Sequence, residues 1–271
     1  MKVGFQGEMG AYSEAMARIL YPGCEPIPCK TFKAVFEGVE SGKTDAGAIP
    51  VENSLTGKIN EPTTLLVASD LKACKEGMLR INHCLIAQDG VKLEDLKRVY
   101  GHPEALAQCR KLSTHMAGCE FMSWYDGAGA AKLVKADREA GVVASERVAE
   151  LYGLKVLKRG VQDNPENATR FVAIAKESAP QSGEDKTTLV FWVKNEPGSL
   201  LRALECFAVN GVNLTRLESS PSREKNWEYL FIADLEGHEL DENPAAALRA
   251  LKRNTTSVKI LGSYPKGKLH G

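Results

Sequence analysis

Short apolar runs alternate with amphipathic stretches from residue 1 to residue 176. Apolar runs bounded by polar residues predict buried strands, and they cover residues 2–6, 45–50, 83–88, 98–101, 141–144 and 171–176. Apolar residues spaced three or four apart predict helices, which cover residues 11–20, 61–69 and 146–152, with one more that begins at Pro103. Because strands and helices alternate, we expect α/β layers with mostly parallel strands, and ligands beyond the carboxyl ends of those strands.

The pattern changes after a polar stretch with Pro, Gly and Ser, which predicts a linker over residues 177–186. Beyond it, strands are predicted over residues 187–194, 212–219, 228–235 and 258–263, and helices over residues 198–210 and 244–253. A polar turn containing Pro221 joins the middle strands, and residues 266–271 read as a polar tail. This βαββαβ order predicts a ferredoxin-like unit in which one sheet face has no helix. We therefore expect pairing with a second copy.

Charge and composition narrow the classes of protein that fit. Lys and Arg together number 35, and Asp and Glu together also number 35. The chain therefore has no overall positive charge that would attract nucleic acid or an anionic membrane. No run approaches the roughly 18 apolar residues of a membrane span. The chain start leads into a strand without the apolar segment of a secretory signal. The seven cysteines include no C-x-x-C pair, which favours reduced thiols and a cytoplasmic location.

No cofactor or metal motif stands out. The glycine turns at residues 7–10 and 127–129 lack the G-x-G-x-x-G spacing of a nucleotide fingerprint. Neither a zincin H-E-x-x-H nor a G-x-S-x-G elbow is present. We expect a protein that works without a cofactor.

The sharpest candidate for chemistry is the segment Asn167-Ala168-Thr169-Arg170-Phe171, at the point where a loop becomes a strand. A hydroxyl and a guanidinium side by side can bind an anionic ligand, because Arg holds a carboxylate through two parallel hydrogen bonds. The alternative is a loop Thr that satisfies a turn beside a surface Arg.

Two further segments follow predicted strands. Pro50-Val51-Glu52-Asn53-Ser54 offers polar side chains for a ligand, or an Asx or Ser turn that caps the next helix. His102 precedes Pro103 at the predicted start of a helix, where backbone N–H groups attract carboxylates. The alternative is that His102 is only a packed loop residue. Gln108 lies on that helix. Its side chain either binds the ligand or is a polar group exposed to solvent.

In the C-terminal unit, a tight turn and helix start at residues 195–204 and the strand segment at residues 214–221 outline a small pocket. Helix N–H groups there would bind a carboxylate and Glu218 an amine. Ordinary strand–helix packing is the alternative.

The order of these motifs resembles the prephenate dehydratase family. Phe-Gln-Gly-x-x-Gly-Ala-Tyr-Ser comes first, followed by Pro-Val-Glu-Asn-Ser, His-Pro-x-Ala-Leu-Ala-Gln-Cys and Asn-x-Thr-Arg-Phe. The resemblance implies a catalytic domain over residues 1–176, with two lobes arranged as in periplasmic binding proteins and a cleft between them. Lobe one would hold about residues 1–76 and 160–176, and lobe two about residues 77–159. An ACT regulatory domain would follow over residues 187–265, and the absence of a chorismate mutase segment suggests the monofunctional form.

The resemblance also implies residue roles. Catalytic roles fall on Thr169, Arg170, Glu52, Asn53 and Gln108. Substrate binding falls on Ser13, Ser54, His102 and Phe171. Binding of L-phenylalanine as an effector falls on Gly198, Ser199, Leu200, Asn213, Leu214, Glu218 and Ser219. The implied assembly is a homodimer or a dimer of dimers.

The expected reaction removes carbon dioxide and water from prephenate, and aromatisation drives it. Thr169 is expected to donate a hydrogen bond to the departing hydroxyl. A threonine is too weak an acid to be the final proton source, so water, Glu52 or His102 would supply the proton. An arogenate dehydratase and a non-catalytic amino-acid sensor remain alternatives. The chain departs from the family pattern at Gly101, Ser199 and Ser220.

Overall fold

The computed structural model describes residues 1–221 and 229–271. The chain forms two compact units. The first unit contains Met1–Pro62, Gly77–Phe171 and Leu269–Gly271, and the second contains Thr63–Glu76 and Val172–Lys268. The domain and lobe borders expected from the sequence differ from the borders of these two units, and they remain predictions.

The helices are α1 Tyr12–Leu20, α2 Phe32–Glu40, α3 Asn60–Ala68, α4 Pro103–Ala107, α5 Arg110–His115, α6 Gly127–Val134, α7 Glu146–Tyr152, α8 Ser199–Ala208 and α9 Glu242–Asn254. The strands are β1 Lys2–Gln6, β2 Glu25–Cys29, β3 Ala46–Asn53, β4 Gly57–Lys58, β5 Lys72–Arg80, β6 Cys84–Ala87, β7 Arg98–Gly101, β8 Glu120–Ser123, β9 Ala140–Ala144, β10 Lys155–Arg159, β11 Ala168–Ala175, β12 Asp185–Val193, β13 Leu214–Pro221, β14 Tyr229–Glu236, β15 Ser257–Pro265 and β16 Leu269–His270. The mixed α/β class expected from the sequence is confirmed.

The first sheet has the order β16-β5-β11-β3-β1-β2, with β4 paired to β3. Strand β1 runs parallel to both β2 and β3, as expected. Strand β11 begins at Ala168, three residues before the predicted start, because the Ser54 N–H donates to the Ala168 carbonyl over 2.9 Å. Thr169 and Arg170 therefore lie in a strand, beside the end of β3, and not in a loop.

The second sheet has the order β10-β6-β9-β7-β8. Strand β7 runs parallel to β8 and β9. Strand β6 departs from the mostly parallel arrangement, since it is antiparallel to both β9 and β10. The sheet is buried on both faces: Cys84 and Ile86 of β6 pack in one apolar cluster, and Leu85 and Ala87 pack in another.

The second unit contains a sheet with the order β13-β14-β12-β15, in which each neighbouring pair is antiparallel. Residues of α8 and α9, including Phe207 and Leu251, pack with strand residues such as Phe191 and Leu235 in one apolar core. The predicted βαββαβ order is confirmed for the described residues. The turn was predicted to contain Pro221, but Pro221 is the last residue of β13, and residues 222–228 lie outside the described part of the chain.

Two predicted irregular segments contain regular structure. Strand β12 starts at Asp185, inside the predicted linker, and the Asp185 carboxylate accepts from the Ser182 N–H over 2.8 Å. In the predicted polar tail, Leu269 and His270 pair in parallel with Met78 and Leu79 of β5. The open edge of a sheet pairs with another strand through backbone hydrogen bonds. A short strand such as β16 can therefore pair there without an alternation of apolar residues in its sequence. Among the described residues, no helix has the length and apolar character needed to cross a membrane.

Candidate active site

A cavity of about 750 Å³ lies within the first unit and is lined by residues from both of its sheets. Helix α1 contributes Ser13, and the first sheet contributes Asn53, Thr169 and Phe171. The second contributes His83, His102, Gln108 and Asp126. Convergent polar side chains in an otherwise apolar cavity of this size are typical of a small-molecule site.

Asn53 holds Thr169 in a fixed orientation. Asn53 Oδ1 accepts from the N–H groups of Leu55 and Thr56 over 3.0 and 3.2 Å. Its Nδ2 must therefore face the other way, where it donates to Thr169 Oγ1 over 3.0 Å. Thr169 is 7% exposed. Because the threonine oxygen already accepts a hydrogen bond, its own proton can be donated to a ligand.

Asn167 continues this chain of amides toward the second sheet. Its Oδ1 accepts from Asn53 Nδ2 over 2.8 Å, and its Nδ2 donates to Gln108 Oε1 over 2.6 Å. Asn167 is completely buried. Since the Gln108 oxygen accepts a hydrogen bond, the amide N–H groups are what Gln108 offers to a ligand. Both Thr169 and Gln108 are thereby set as donors, which suits an oxygen-rich ligand.

The structure corrects the orientation expected for Arg170 and Glu52. Side chains alternate between the two faces of a strand, so Thr169 and Phe171 line the cavity whereas Arg170 lies on the other face of β11. Arg170 Nη1 lies 3.3 Å from Glu52 Oε2. Among the described residues that line the cavity, neither Arg170 nor Glu52 occurs. The geometry therefore supports a structural ion pair at the site's edge.

The residues predicted to bind substrate fall into two groups. Ser13 and Phe171 are buried and line the cavity, and His102 lines it from the start of α4, where its Nδ1 accepts from the Glu104 N–H over 3.2 Å. Ser54 instead joins two strand ends, because its Oγ accepts from the Ala168 N–H over 3.0 Å. It does not occur among the described cavity-lining residues.

His83 is a cavity residue that the sequence did not point to. It is 4% exposed, and burial lowers its pKa to about 4, opposed by a hydrogen bond with Gln108. Tyr12 Oη lies 3.2 Å from His83 Nδ1 and donates to the Asn82 carbonyl over 2.8 Å. Burial also raises the pKa of Tyr12 well above its ordinary value. A single His at a strand start carries no spacing signal that could have identified it.

Asp126 is the second residue that sequence reasoning missed. It is the N-cap of α6, and its Oδ1 accepts from the Gly129 N–H. Burial raises the pKa of this carboxyl, against the lowering effect of that N–H group. The pattern Asp126-Gly127-Ala128-Gly129 indicates a capped helix start, but it does not show that the carboxylate lines a cavity.

The seven residues predicted to bind an effector lie at two ends of the sheet in the second unit. Gly198 and Ser199 follow the end of β12, and Ser219 lies at that same end through its pairing with Phe231. Leu214 lies at the opposite end, beside Leu235. Their partners on β14, Phe231 and Leu235, are four residues apart, a distance of about 13 Å along the strand.

The individual effector positions have different environments. Ser199 is buried and its Oγ accepts from Arg202 over 3.1 Å. Glu218 already pairs with Arg216 over 2.9 Å. Leu200 and Leu214 pack on the apolar core, and exposed Asn213 donates to Glu236 over 3.1 Å. One copy of the chain therefore does not gather these residues around a single small ligand.

Family models match most of the chain. The model described as prephenate dehydratase matches residues 3–179, and the ACT domain model matches residues 187–253. A bifunctional chorismate mutase/prephenate dehydratase of Aquifex aeolicus (strain VF5) is 40% identical over 272 residues, covering 99% of this chain and 75% of that protein. Arogenate dehydratase/prephenate dehydratase 2 of Arabidopsis thaliana, a chloroplastic protein, is 40% identical over 278 residues, covering 98% and 73%.

Solved structures share the fold over the full length. Prephenate dehydratase from Arthrobacter aurescens, in complex with L-Phe, has a TM-score of 0.87 at 32% identity and covers 98% of this chain and 90% of its own. GqqA, described as a novel type of quorum quenching acylase, has a TM-score of 0.89 at 37% identity and covers 98% of each chain.

Proposed function

Because this chain belongs to the prephenate dehydratase family of lyases, we propose that it converts prephenate to phenylpyruvate, carbon dioxide and water in phenylalanine biosynthesis. The observation that carries the proposal is the Thr169 hydroxyl, which lines the cavity and accepts from Asn53, so that this hydrogen bond does not use its proton. The family contains arogenate dehydratases as well, and the choice of substrate belongs to this proposal.

The reaction needs one proton and no other reactant. The C1–carboxylate bond breaks and releases carbon dioxide, its electron pair enters the ring, and the C4–oxygen bond breaks as the hydroxide takes a proton to become water. Thr169 donates a hydrogen bond to that oxygen, and Gln108 N–H groups add a second donor. An interaction accelerates the reaction only if it strengthens as charge develops on the departing oxygen.

The proton source lies on the cavity side of the strands. Glu52, one of three sources considered from the sequence, is paired with Arg170 on the other face. Water and His102 remain, and His102 lines the cavity. The substrate carboxylates would be held by the N–H groups at the start of α1, where Ala11 provides no side-chain cap, together with Lys30 and Lys58, which line the cavity.

Ultraviolet detection of phenylpyruvate after the protein is mixed with prephenate tests the proposal. We expect product with the unmodified protein and a large loss with Thr169→Val. A non-catalytic sensor would bind prephenate without forming product, and that result would overturn the proposal. The same preparation should be tested for amide hydrolysis, because a protein of similar structure is described as an acylase.

For regulation, we propose that L-phenylalanine binds where ACT units of two copies meet and that it inhibits the enzyme. The match to the ACT model and the L-Phe complex of a relative support this. The separation of Ser219 from Leu214 by about 13 Å along the sheet also supports it, because a compact amino acid contacts both groups of residues only if two copies contribute. We expect a coupling free energy of roughly 1–3 kcal/mol.

Titration with phenylalanine, with activity and sedimentation measured together, tests this regulation. We expect inhibition and a dimer or dimer of dimers. Phenylalanine that neither binds nor inhibits, or a monomer at assay concentration, would remove the regulatory proposal and leave the catalytic one standing. The cytoplasmic location stays a prediction.

A further inference from the structure

His83 joins the amide network of the cavity from a position just before β6. Its backbone is fixed on both sides, because its N–H donates to Gln162 Oε1 over 2.9 Å and its carbonyl accepts from the Val161 N–H over 3.0 Å. The side chain is 4% exposed and lines the cavity. A buried neutral imidazole has one N–H group and one lone pair, and each needs a partner. The neighbouring groups decide which nitrogen carries the proton.

Tyr12 fixes that proton on Nδ1 of His83. The Tyr12 hydroxyl donates its single proton to the Asn82 carbonyl over 2.8 Å, and the same oxygen lies 3.2 Å from His83 Nδ1. A carbonyl has no proton to give, so Tyr12 must be the donor in the shorter contact. Burial raises the pKa of Tyr12 well above its ordinary value, which keeps the phenol protonated. Because its proton is already used, Tyr12 can only accept from His83, and Nδ1 bears the hydrogen.

This tautomer leaves a lone pair on His83 Nε2. Burial lowers the pKa of His83 to about 4, so the ring is uncharged at neutral pH. His83 forms a hydrogen bond with Gln108. Since Nδ1 is engaged by Tyr12, this bond falls to Nε2, which can only accept from an amide N–H. A protonated His83 would instead donate to the Gln108 oxygen, and that bond to the charged form is what opposes the lowering of the pKa.

The Gln108 amide is then held at both of its ends. Its Oε1 accepts from Asn167 Nδ2 over 2.6 Å, and one of its two N–H groups donates to His83 Nε2. An amide fixed in this way cannot exchange its oxygen and nitrogen by rotation unless both hydrogen bonds break. The other N–H group stays available to a ligand. Without His83, only the oxygen end of the amide would be held.

We propose that His83 is a positioning residue, which in its neutral Nδ1–H form holds the Gln108 amide so that the remaining N–H group donates to the departing oxygen of the substrate. The inference rests on the proposed function, because it assigns His83 a part in that reaction. His83 transfers no proton in this role. A donor that is oriented before the reaction begins stabilises the charge that develops on the oxygen without a cost of reorganisation.

Nitrogen-15 NMR of the imidazole rings at neutral pH reports the tautomer of His83 without any substitution, and the His83→Gln spectrum assigns the signals. We expect Nδ1 to carry the proton and Nε2 to show the shift of a nitrogen with a lone pair. Tyr12→Phe removes the acceptor of the Nδ1–H group, so the proton should move to Nε2. A proton on Nε2 in the unmodified protein would overturn the inference.

Steady-state kinetics with prephenate test the effect on the reaction. We expect His83→Leu to lower kcat by about tenfold or more while KM changes by less than about threefold, because the donor acts on the departing oxygen in the transition state. His83→Gln should recover most of kcat, since its amide oxygen can replace Nε2 as the acceptor. His115→Leu, at an exposed helix position, should leave both constants unchanged.

Equal losses of kcat in His83→Leu and His83→Gln, or a kcat within about threefold of the unmodified one in His83→Leu, would also overturn the inference. Should His83→Leu fold poorly, Tyr12→Phe leaves the imidazole in place and provides the second variant. Its kcat should fall together with the change of tautomer, and an unchanged kcat with the proton on Nε2 would contradict the role of His83. An unmodified protein that forms no phenylpyruvate would instead overturn the proposed function, and this role with it.

Discussion

Asn53 Nδ2 donates to Thr169 Oγ1 over 3.0 Å, across 116 positions of sequence. This bond decides which way the threonine hydroxyl can act, because an oxygen that accepts from Asn53 keeps its own proton for a ligand. The direction of the bond is set by backbone groups, since the N–H groups of Leu55 and Thr56 hold the Asn53 oxygen. The catalytic proposal depends on Asn53 being the donor and Thr169 the acceptor in this hydrogen bond.

Removal of the Thr169 hydroxyl should slow turnover. Thr169→Val keeps the shape and deletes the donor, so we expect kcat to fall by more than about tenfold, ~1.4 kcal/mol or more. Thr169→Ser keeps the hydroxyl and should retain most of the activity, and Thr114→Val changes an exposed helix position as a control. A Thr169→Val enzyme within tenfold of the unmodified one would rule out a leading role for the hydroxyl.

Asn167 should act on catalysis through its neighbours. Asn167→Asp replaces the donor that faces Gln108 Oε1 by an acceptor, so the 2.6 Å hydrogen bond is lost. A buried polar group left without its partner costs about 1–3 kcal/mol. We expect the free energy of unfolding to fall by about that amount, and kcat to fall more than KM rises.

The control for this experiment is Asn254→Ala, since Asn254 is exposed near the end of α9. It should change neither quantity. Full activity in Asn167→Asp would show that Gln108 and Thr169 need no support from the buried amide.

His83 should make the fold less stable in acid. Its pKa is about 4 in the folded chain against roughly 6.5 in an unfolded one. Between these values the unfolded chain binds more protons, so stability falls as the pH falls from 6.5 toward 4. At pH 5 the loss from this residue is about 2 kcal/mol.

Urea unfolding at pH 7.5 and pH 5 measures this loss. His83→Gln should lose less stability between the two pH values than the unmodified protein does, whereas His115→Gln, at an exposed helix position, should behave like the unmodified protein. An identical pH dependence in His83→Gln would show that His83 is already protonated in the folded state or that it is accessible to solvent.

The second unit contains a buried ion pair whose disruption should be costly. Lys186 Nζ lies 2.7 Å from Glu76 Oε1, and the two side chains are 11% and 0% exposed. Lys186→Met leaves the Glu76 charge buried, so we expect a loss of about 3–5 kcal/mol in the free energy of unfolding. Lys186→Met combined with Glu76→Gln should recover part of it.

Lys266→Met provides the matched control for Lys186→Met. Lys266 pairs with Glu236 over 3.3 Å, but these side chains are 53% and 44% exposed. Exposed pairs contribute about 0–1 kcal/mol. Equal losses in the two lysine variants, measured by urea unfolding, would contradict a buried charge at Glu76.

Several elements could be predicted from sequence because their signal is local. Strands β1 and β7 and helix α7 have the bounds that their apolar patterns predict. Strand β2, which reads EPIPC, was missed because two prolines interrupt it, and β5 was missed because charged residues break its apolar run. Such strands are held by their neighbours in the sheet, and their own sequence shows little of this.

The candidate site was also predictable in part, because some of its residues belong to local sequence motifs. Motif order pointed to Thr169, Asn53 and Gln108, and the fold brings them into one network. Strand alternation could have placed Arg170 opposite Thr169, once the start of β11 was known. His83 and Asp126 could not be found, since what distinguishes them is burial beside a cavity.

The sequence by itself determined the α/β and βαββαβ patterns and the family, because apolar periodicity and motif order are properties of the linear chain. Tertiary structure alone decided which side chains face the cavity, which way the Asn53 amide points, and that His83 and Asp126 are buried beside the cavity. Those features depend on contacts between residues far apart in sequence. Burial and hydrogen-bond direction arise only when such contacts form.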